Sequence, residues 1–309
     1  MQTQTFKLRS TDGVDLFVYC WLPPGPCKAV VQIAHGLAEH AGRYARLAEA
    51  LTAAGYAVYA NDHRGHGRSC KSKDDLGFFA ERDGWRLCVD DLWRLNRHIA
   101  AQHPGVPLVL LGHSMGATLA EQFMGEHGDA LAGVVLCAPS GKPPALAAVG
   151  RLIMRLERWR VGPRGHSKLV QGLTFVAFNK QFAPCRTPAD WLSRDPAEVG
   201  KYVNDPFCGF PAAVQAWIDL FDGWAALSRP AHLARIPKTL PVYIIAGALD
   251  PVSSKTKQIQ PMLAAYKAAG IQNVQHRFYP EARHELFNET NRDEMTRDLI
   301  EWLERVVGG

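Results

Sequence analysis

The chain has 309 residues, 47% of them hydrophobic and 21% charged, which places it among ordinary globular proteins long enough to bury a sizeable core. Its formal charge is +5, with Lys and Arg spread along the chain and not gathered in blocks, so nucleic acid is not the expected partner. Its 7 cysteines fall at irregular spacing without a C-x-x-C pair, which argues for free thiols in a reducing compartment and against a disulfide framework.

Strand-like and helix-like segments alternate, which predicts an α/β protein built on a parallel sheet. Residues 5–8 and 14–22 read as two strands joined at the turn dipeptide Asp12-Gly13. Residues 29–33 form a short buried strand, 44–54 an amphipathic helix and 56–60 the next strand. A long helix is expected over 85–102, with Leu87, Leu92, Leu95 and Ile99 on one side. Apolar strands follow at 108–111 and 133–137, the first leading into a helical pattern over 117–126. The rhythm then breaks, and 139–235 reads as a mainly helical insert rich in Pro, Arg and Trp. Alternation resumes with a strand at 242–246, a helix at 256–269, a strand at 273–279 and a closing helix at 294–307. The expected organisation is therefore a core in two parts, 1–138 and 236–309, with a helical cap insert, 139–235, between them. The start of the chain has no apolar signal segment, and no run approaches the length of a membrane span, so the cytoplasm is expected.

The most informative residues are Gly112-His113-Ser114-Met115-Gly116. This G-x-S-x-G element lies between an apolar strand and a helix, the context of a nucleophile elbow, in which a sharp turn lifts the serine hydroxyl to a helix N-terminus. Free N–H groups and the helix dipole there favour a developing oxyanion. A serine hydroxyl needs a base to take its proton and a third group to orient that base. On such a sheet the chain order is serine, acid, histidine. Asp250, just past the strand at 242–246, is the candidate acid, and a capping role toward the following helix is its ordinary alternative. His284, between the last strand and the last helix, is the candidate base among 12 histidines. The oxyanion donors are expected to be the N–H groups of Met115 and of Leu37, in the loop Ile33-Ala34-His35-Gly36-Leu37, where Gly36 permits an unusual backbone turn.

The histidines His35, His40, His63 and His66 invite a zinc reading, but their spacing does not form one helical ligand face and no Cys joins them, so no metal is expected. Neither G-x-x-x-x-G-K-[ST] nor G-x-G-x-x-G is present, and no cofactor is implied. In the insert, Leu146, Val149, Ile153 and Leu156 recur at helical spacing, with Arg151, Arg155 and Arg158 on another face. A lid helix packed on the core through its apolar stripe is the expected reading; contact of that stripe with a membrane or an acyl chain is the alternative.

Taken together, His35-Gly36 with Glu39-His40, Asp62-His63-Arg64-Gly65-His66-Gly67-x-Ser69, the elbow around Ser114, Asp250 and His284 resemble the α/β-hydrolase superfamily. Within it, the chain is most similar to monoacylglycerol lipases and lysophospholipase-like serine aminopeptidase hydrolases, over about residues 5–307. The resemblance implies a Ser114–His284–Asp250 triad, oxyanion donors at Leu37 and Met115, no cofactor, and a helical cap shaping an apolar acyl channel. Leu37-Ala38 stands where lipase members commonly have a small residue and a glycine, so the pocket beside the ester is expected to differ. Three functions are weighed: a serine esterase acting on a small-molecule ester with an acyl chain, an aminopeptidase-type hydrolase using acids of the insert, and a ligand-binding protein with an idle site.

Overall fold

In a computed structural model, which describes residues 1–308, the apolar runs form one eight-stranded sheet. β1 (Gln2–Arg9) and β2 (Asp15–Leu22) make an antiparallel hairpin. β3 (Val30–Ala34), β4 (Ala57–Asn61), β5 (Leu108–His113), β6 (Gly133–Cys137), β7 (Val242–Gly247) and β8 (Val274–Tyr279) run parallel to one another. The order across the sheet is β1-β2-β4-β3-β5-β6-β7-β8, with β2 antiparallel to β4.

The central strands are apolar without interruption because both faces are covered. Leu108 and Leu110 of β5, Val134 and Leu136 of β6, and Val242 and Ile244 of β7 belong to one core. Their neighbours Val109, Leu111, Val135, Tyr243 and Ile245 belong to the other. α1 (Ala45–Ala53) buries Leu47 and Leu51 on the second face. α2 (Gly84–Gln102) lays Leu92, Leu95 and Ile99 on the first, beside Phe123 of α3 (Met115–His127).

Between β6 and β7 the ordered elements are helices alone: α4 (Ala147–Val161), α5 (Lys168–Gln171), α6 (Ala177–Lys180), α7 (Pro196–Asn204), α8 (Val214–Leu227) and α9 (Pro230–Arg235). α10 (Ile259–Ala268) and α11 (Arg292–Val307) complete the two covering layers. α10 starts later than its sequence pattern predicts. Ser254, Lys255 and Thr256 take left-handed φ values of 53°, 56° and 65°. The Asp250 side chain accepts from Val252 N–H and its carbonyl from Lys255 N–H, which folds this stretch into turns before the helix begins.

α4 is packed less deeply than its apolar stripe predicts. Arg151 and Arg155 ion-pair with Asp222 of α8, and Arg158 donates to Gln215. Of its residues only Met154 and Glu157 are buried, while Leu146, Leu156 and Trp159 are 74%, 60% and 88% exposed. Periodicity identifies an apolar stripe but not what it meets: Leu146, Val149 and Ile153 line an open chamber and not a closed core.

The turn from β5 into α3 is set by close backbone approach. A Cβ on Gly116 would overlap the Ala34 carbonyl of β3, and one on Gly112 would overlap the Gly116 carbonyl. Ser114 between them has φ 54° and ψ −116°, a conformation that a non-glycine residue holds only when its surroundings enforce it. We predict that Gly116→Ala destabilises the protein by about 2 kcal/mol or more, because backbone and not a flexible side chain must move. Urea unfolding measures this, and an unchanged midpoint contradicts the packing described.

Candidate active site

Each predicted site residue stands at the carboxyl end of the parallel strands, where this architecture gathers ligands. Ser114 directly follows β5, and its N–H donates to the Cys137 carbonyl of β6 at 3.0 Å. Asp250 follows β7 and is fully buried; His284 follows β8 and is 2% exposed. His284 Nδ1 donates to Asp250 Oδ2 at 3.0 Å, which leaves Nε2 as the ring nitrogen able to accept a proton. The second Asp250 oxygen takes the Val252 N–H at 2.9 Å, so the carboxylate is fixed from both sides. Ser114 and His284 line one small cavity together, with no direct hydrogen bond between them. Such contacts are often long without substrate and tighten around it. The Trp191 ring, 5.0 Å from that of His284, packs against the imidazole from the insert.

Leu37 and Met115 flank Ser114 on the wall of a larger chamber. Among the described residues, neither backbone N–H is engaged in a protein hydrogen bond, as a pair awaiting an oxyanion requires. The loop carrying Leu37 differs from expectation in one respect. The left-handed residue is Ala38, at φ 58°, and not Gly36. Gly36 is needed for room, since a Cβ there would stand 2.9 Å from Glu39 Oε1 and 3.1 Å from His113 Nδ1.

Those two neighbours belong to a buried charged cluster that no single motif announces. Glu39 Oε1 accepts from Gly36 N–H at 2.7 Å, from Tyr44 OH at 3.0 Å and from His113 Nδ1 at 3.0 Å. Glu39 Oε2 accepts from Arg43, whose guanidinium also binds both oxygens of Glu285 at 2.6 and 2.7 Å. His113 Nε2 faces the His284 carbonyl at 3.4 Å. Both His113 nitrogens therefore face acceptors, the pattern of an imidazolium. Burial opposes that charge, but the hydrogen bond and the charge of Glu39 outweigh it and raise the His113 pKa. Burial likewise works against the Glu39 carboxylate, yet His113 and Arg43 hold its pKa well below the usual range. Two carboxylates and two cations thus cancel, as buried charges must.

Beneath the loop lie three more buried histidines. His35 Nδ1 donates to the Gly36 carbonyl at 2.8 Å, and Nε2 accepts from His63 N–H at 2.9 Å. His66 Nδ1 donates to the Arg64 carbonyl at 3.0 Å, and Nε2 accepts from Ala38 N–H at 3.3 Å. One nitrogen of each ring is an acceptor, so both rings are neutral. The function of these histidines is to shape the loop.

Two cavities reach Ser114. The larger chamber, of about 440 Å3, is bounded by Leu37, Met154, Phe178, Trp191, Trp217 and Phe221. A cavity of about 30 Å3, room for about one water, meets Glu39, His113, Tyr202, His284 and Glu285 together with Leu37, Phe175, Trp191 and Leu192. The exposed residues of α4 rim the chamber at Leu146 and Val149, and Leu169, Leu173 and Val176 extend the same apolar surface. Among the described residues, no helix is long and apolar enough to cross a membrane.

The chain is similar to known proteins over most of its length. Residues 25–291 match the family described as serine aminopeptidase, S33. The chain is 30% identical to a monoacylglycerol lipase of Mycolicibacterium smegmatis over 303 residues, 94% of this chain and 93% of that one. It is 28% identical to the human monoglyceride lipase, covering 92% of this chain and 88% of the relative. Among solved structures, a thermostable carboxyl esterase from Bacillus coagulans, in complex with glycerol, superposes with a TM-score of 0.91 at 25% identity, covering 99% of each chain.

The neutral histidines give the site a defined acid sensitivity. Burial lowers His63 from the ordinary 6.5 to about 3, and His66 to about 4. The unfolded chain binds protons at these positions first, so their stabilising contribution is complete above pH 6.5 and is lost as the pH falls toward 4 and then 3. A proton NMR titration should show the His63 and His66 ring resonances unmoved between pH 8 and about 5.5. A midpoint near 6.5 for either ring contradicts the neutral assignment.

Proposed function

The chain belongs to the serine aminopeptidase S33 family of the α/β-hydrolase superfamily, and on that premise we propose that it is a carboxylic ester hydrolase acting on monoacylglycerols and similar single-chain esters. One observation carries this reading: Ser114 lies on the wall of an apolar chamber of about 440 Å3. An ester with a single long acyl chain can bury that chain among these side chains with its carbonyl at Ser114.

Ser114 Oγ adds to the ester carbonyl as its proton passes to His284 Nε2. Asp250 holds the opposite ring proton, which fixes the tautomer and stabilises the imidazolium. The carbonyl oxygen, now negative, receives the N–H groups of Leu37 and Met115 at the N-terminus of α3. The alcohol leaves with the proton from His284, and the acyl group remains on Ser114. Water, deprotonated by the same imidazole, attacks the acyl-enzyme, and the fatty acid departs as the proton returns to Ser114.

An aminopeptidase needs free carboxylates near the serine to hold a substrate ammonium. Glu39 and Glu285 line the small cavity beside Ser114, but Arg43 engages both. This observation favours a neutral alcohol over an amine. Residues 139–235 act as a cap whose outward apolar face, from Leu146 to Trp159, settles on lipid surfaces where such substrates reside.

Ser114→Ala should lower turnover of a monoacylglycerol by about a millionfold. In the wild type, a panel of monoacylglycerols should be cleaved in preference to an aminoacyl amide. Undiminished turnover in the variant, or faster amide cleavage in the wild type, contradicts the proposal. For the cap, Leu156→Glu combined with Trp159→Glu should weaken binding to phospholipid vesicles about tenfold or more, while cleavage of a soluble short-chain ester is unchanged. Equal vesicle binding by both proteins removes the cap from membrane contact.

A further inference from the structure

Outside the Ser114, His284 and Asp250 site, three side chains able to ligate a metal converge from distant parts of the chain. His40 ends the segment that carries Leu37 and Glu39, whereas Asp205 and Cys208 lie in the loop after α7. One ligand atom from each residue lies within 4.8 Å of the other two. His40 Nε2 already meets Asp205 Oδ2 at 3.0 Å. The loop is held in place by its own backbone: Asp205 Oδ1 accepts from Phe207 N–H at 2.8 Å, and Gly209 N–H donates to the Ala38 carbonyl at 2.9 Å.

The geometry points to a zinc(II) site at His40, Asp205 and Cys208, which ties the insert to the loop carrying the Leu37 N–H. The inference is independent of the proposed ester chemistry. Imidazole, carboxylate and thiolate are the donors zinc takes, at about 2.0–2.3 Å, and tetrahedral geometry then separates ligand atoms by about 3.3–3.8 Å. Closing from 4.8 Å to that range requires roughly 1 Å of side-chain movement. His40 and Asp205 also face an open polar cleft shared with Glu198, Lys201 and Asn204, from which water completes the coordination.

The electrostatics allow a dication. Arg43 is a neighbour of Cys208, but Glu39 and Glu285 already match its charge. Arg46 and Lys201, which also line the cleft, are both held by Glu198, and Asp205 brings its own carboxylate to the site. Without metal, burial pushes the Cys208 thiol pKa up, and the site rests on the His40–Asp205 hydrogen bond. On binding, the Zn–S bond replaces the S–H bond and that proton leaves to solvent. The proton that His40 Nε2 donates to Asp205 moves to Nδ1, which frees the Nε2 lone pair for the metal.

Cadmium(II) is the probe, since a cadmium–thiolate bond has an ultraviolet charge-transfer absorbance that other ligands lack. Titrating the full chain should give one such bond per chain, displaced by zinc(II), and zinc should raise the wild-type melting temperature. Cys208→Ala should abolish the absorbance and the thermal shift. His40→Gln should weaken binding by about tenfold or more, and it serves as the test should Cys208→Ala fail to fold. Cys27→Ser, which removes the other thiol beside a histidine (Cys27 Sγ to His103 Nδ1, 3.7 Å), should leave the stoichiometry at one. Absence of the band in the wild type, or its persistence in Cys208→Ala, overturns the site.

Discussion

The whole site depends on keeping four charges buried together. Glu39, Arg43, His113 and Glu285 are removed from water, and each is stable there only because the others are present. The cluster also joins three separate loops. Glu39 grips the Gly36 N–H next to Leu37, His113 directly precedes Ser114, and Glu285 directly follows His284. Leu37, Ser114 and His284, brought by different strands, are thereby held in one frame. Neutrality of the cluster fixes the frame, and the frame sets the geometry.

The sheet supplies the second constraint. Its central strands bury both faces, so their carboxyl ends are the place where side chains meet without disturbing a core. The elbow is possible because β3, β5 and α3 approach one another at glycine positions. The insert then closes over Ser114 with aromatic and aliphatic side chains, while the charged frame borders the small cavity beside it. Phe175, Trp191 and Tyr202 of the insert reach that cavity too, so insert and sheet loops build it together.

Much of this was legible in the sequence, for definable reasons. Ser114 is marked by local spacing between a strand and a helix. Asp250 and His284 are marked by their positions just after late strands, and the structure brings those two side chains together. The Arg43–Glu285 pair spans 242 positions, and no local pattern connects such residues. Nor does spacing connect His40 with Asp205, 165 positions away. Gly36 was recognisable as important, but the cause is the nearness of Glu39 and His113, not a left-handed turn. The apolar stripe of α4 was legible, but amphipathicity does not reveal that Leu146, Val149 and Ile153 line an open chamber in place of a packed core.

The central claim is that Ser114 is a nucleophile activated through His284 and Asp250. It is tested most directly by treating the native protein with a long-chain fluorophosphonate and locating the adduct by peptide mass spectrometry. One phosphonyl group per chain is expected, on the peptide that carries Ser114, and its formation should slow by orders of magnitude in His284→Ala. An unmodified Ser114, or labelling at equal rate without the imidazole, contradicts the account.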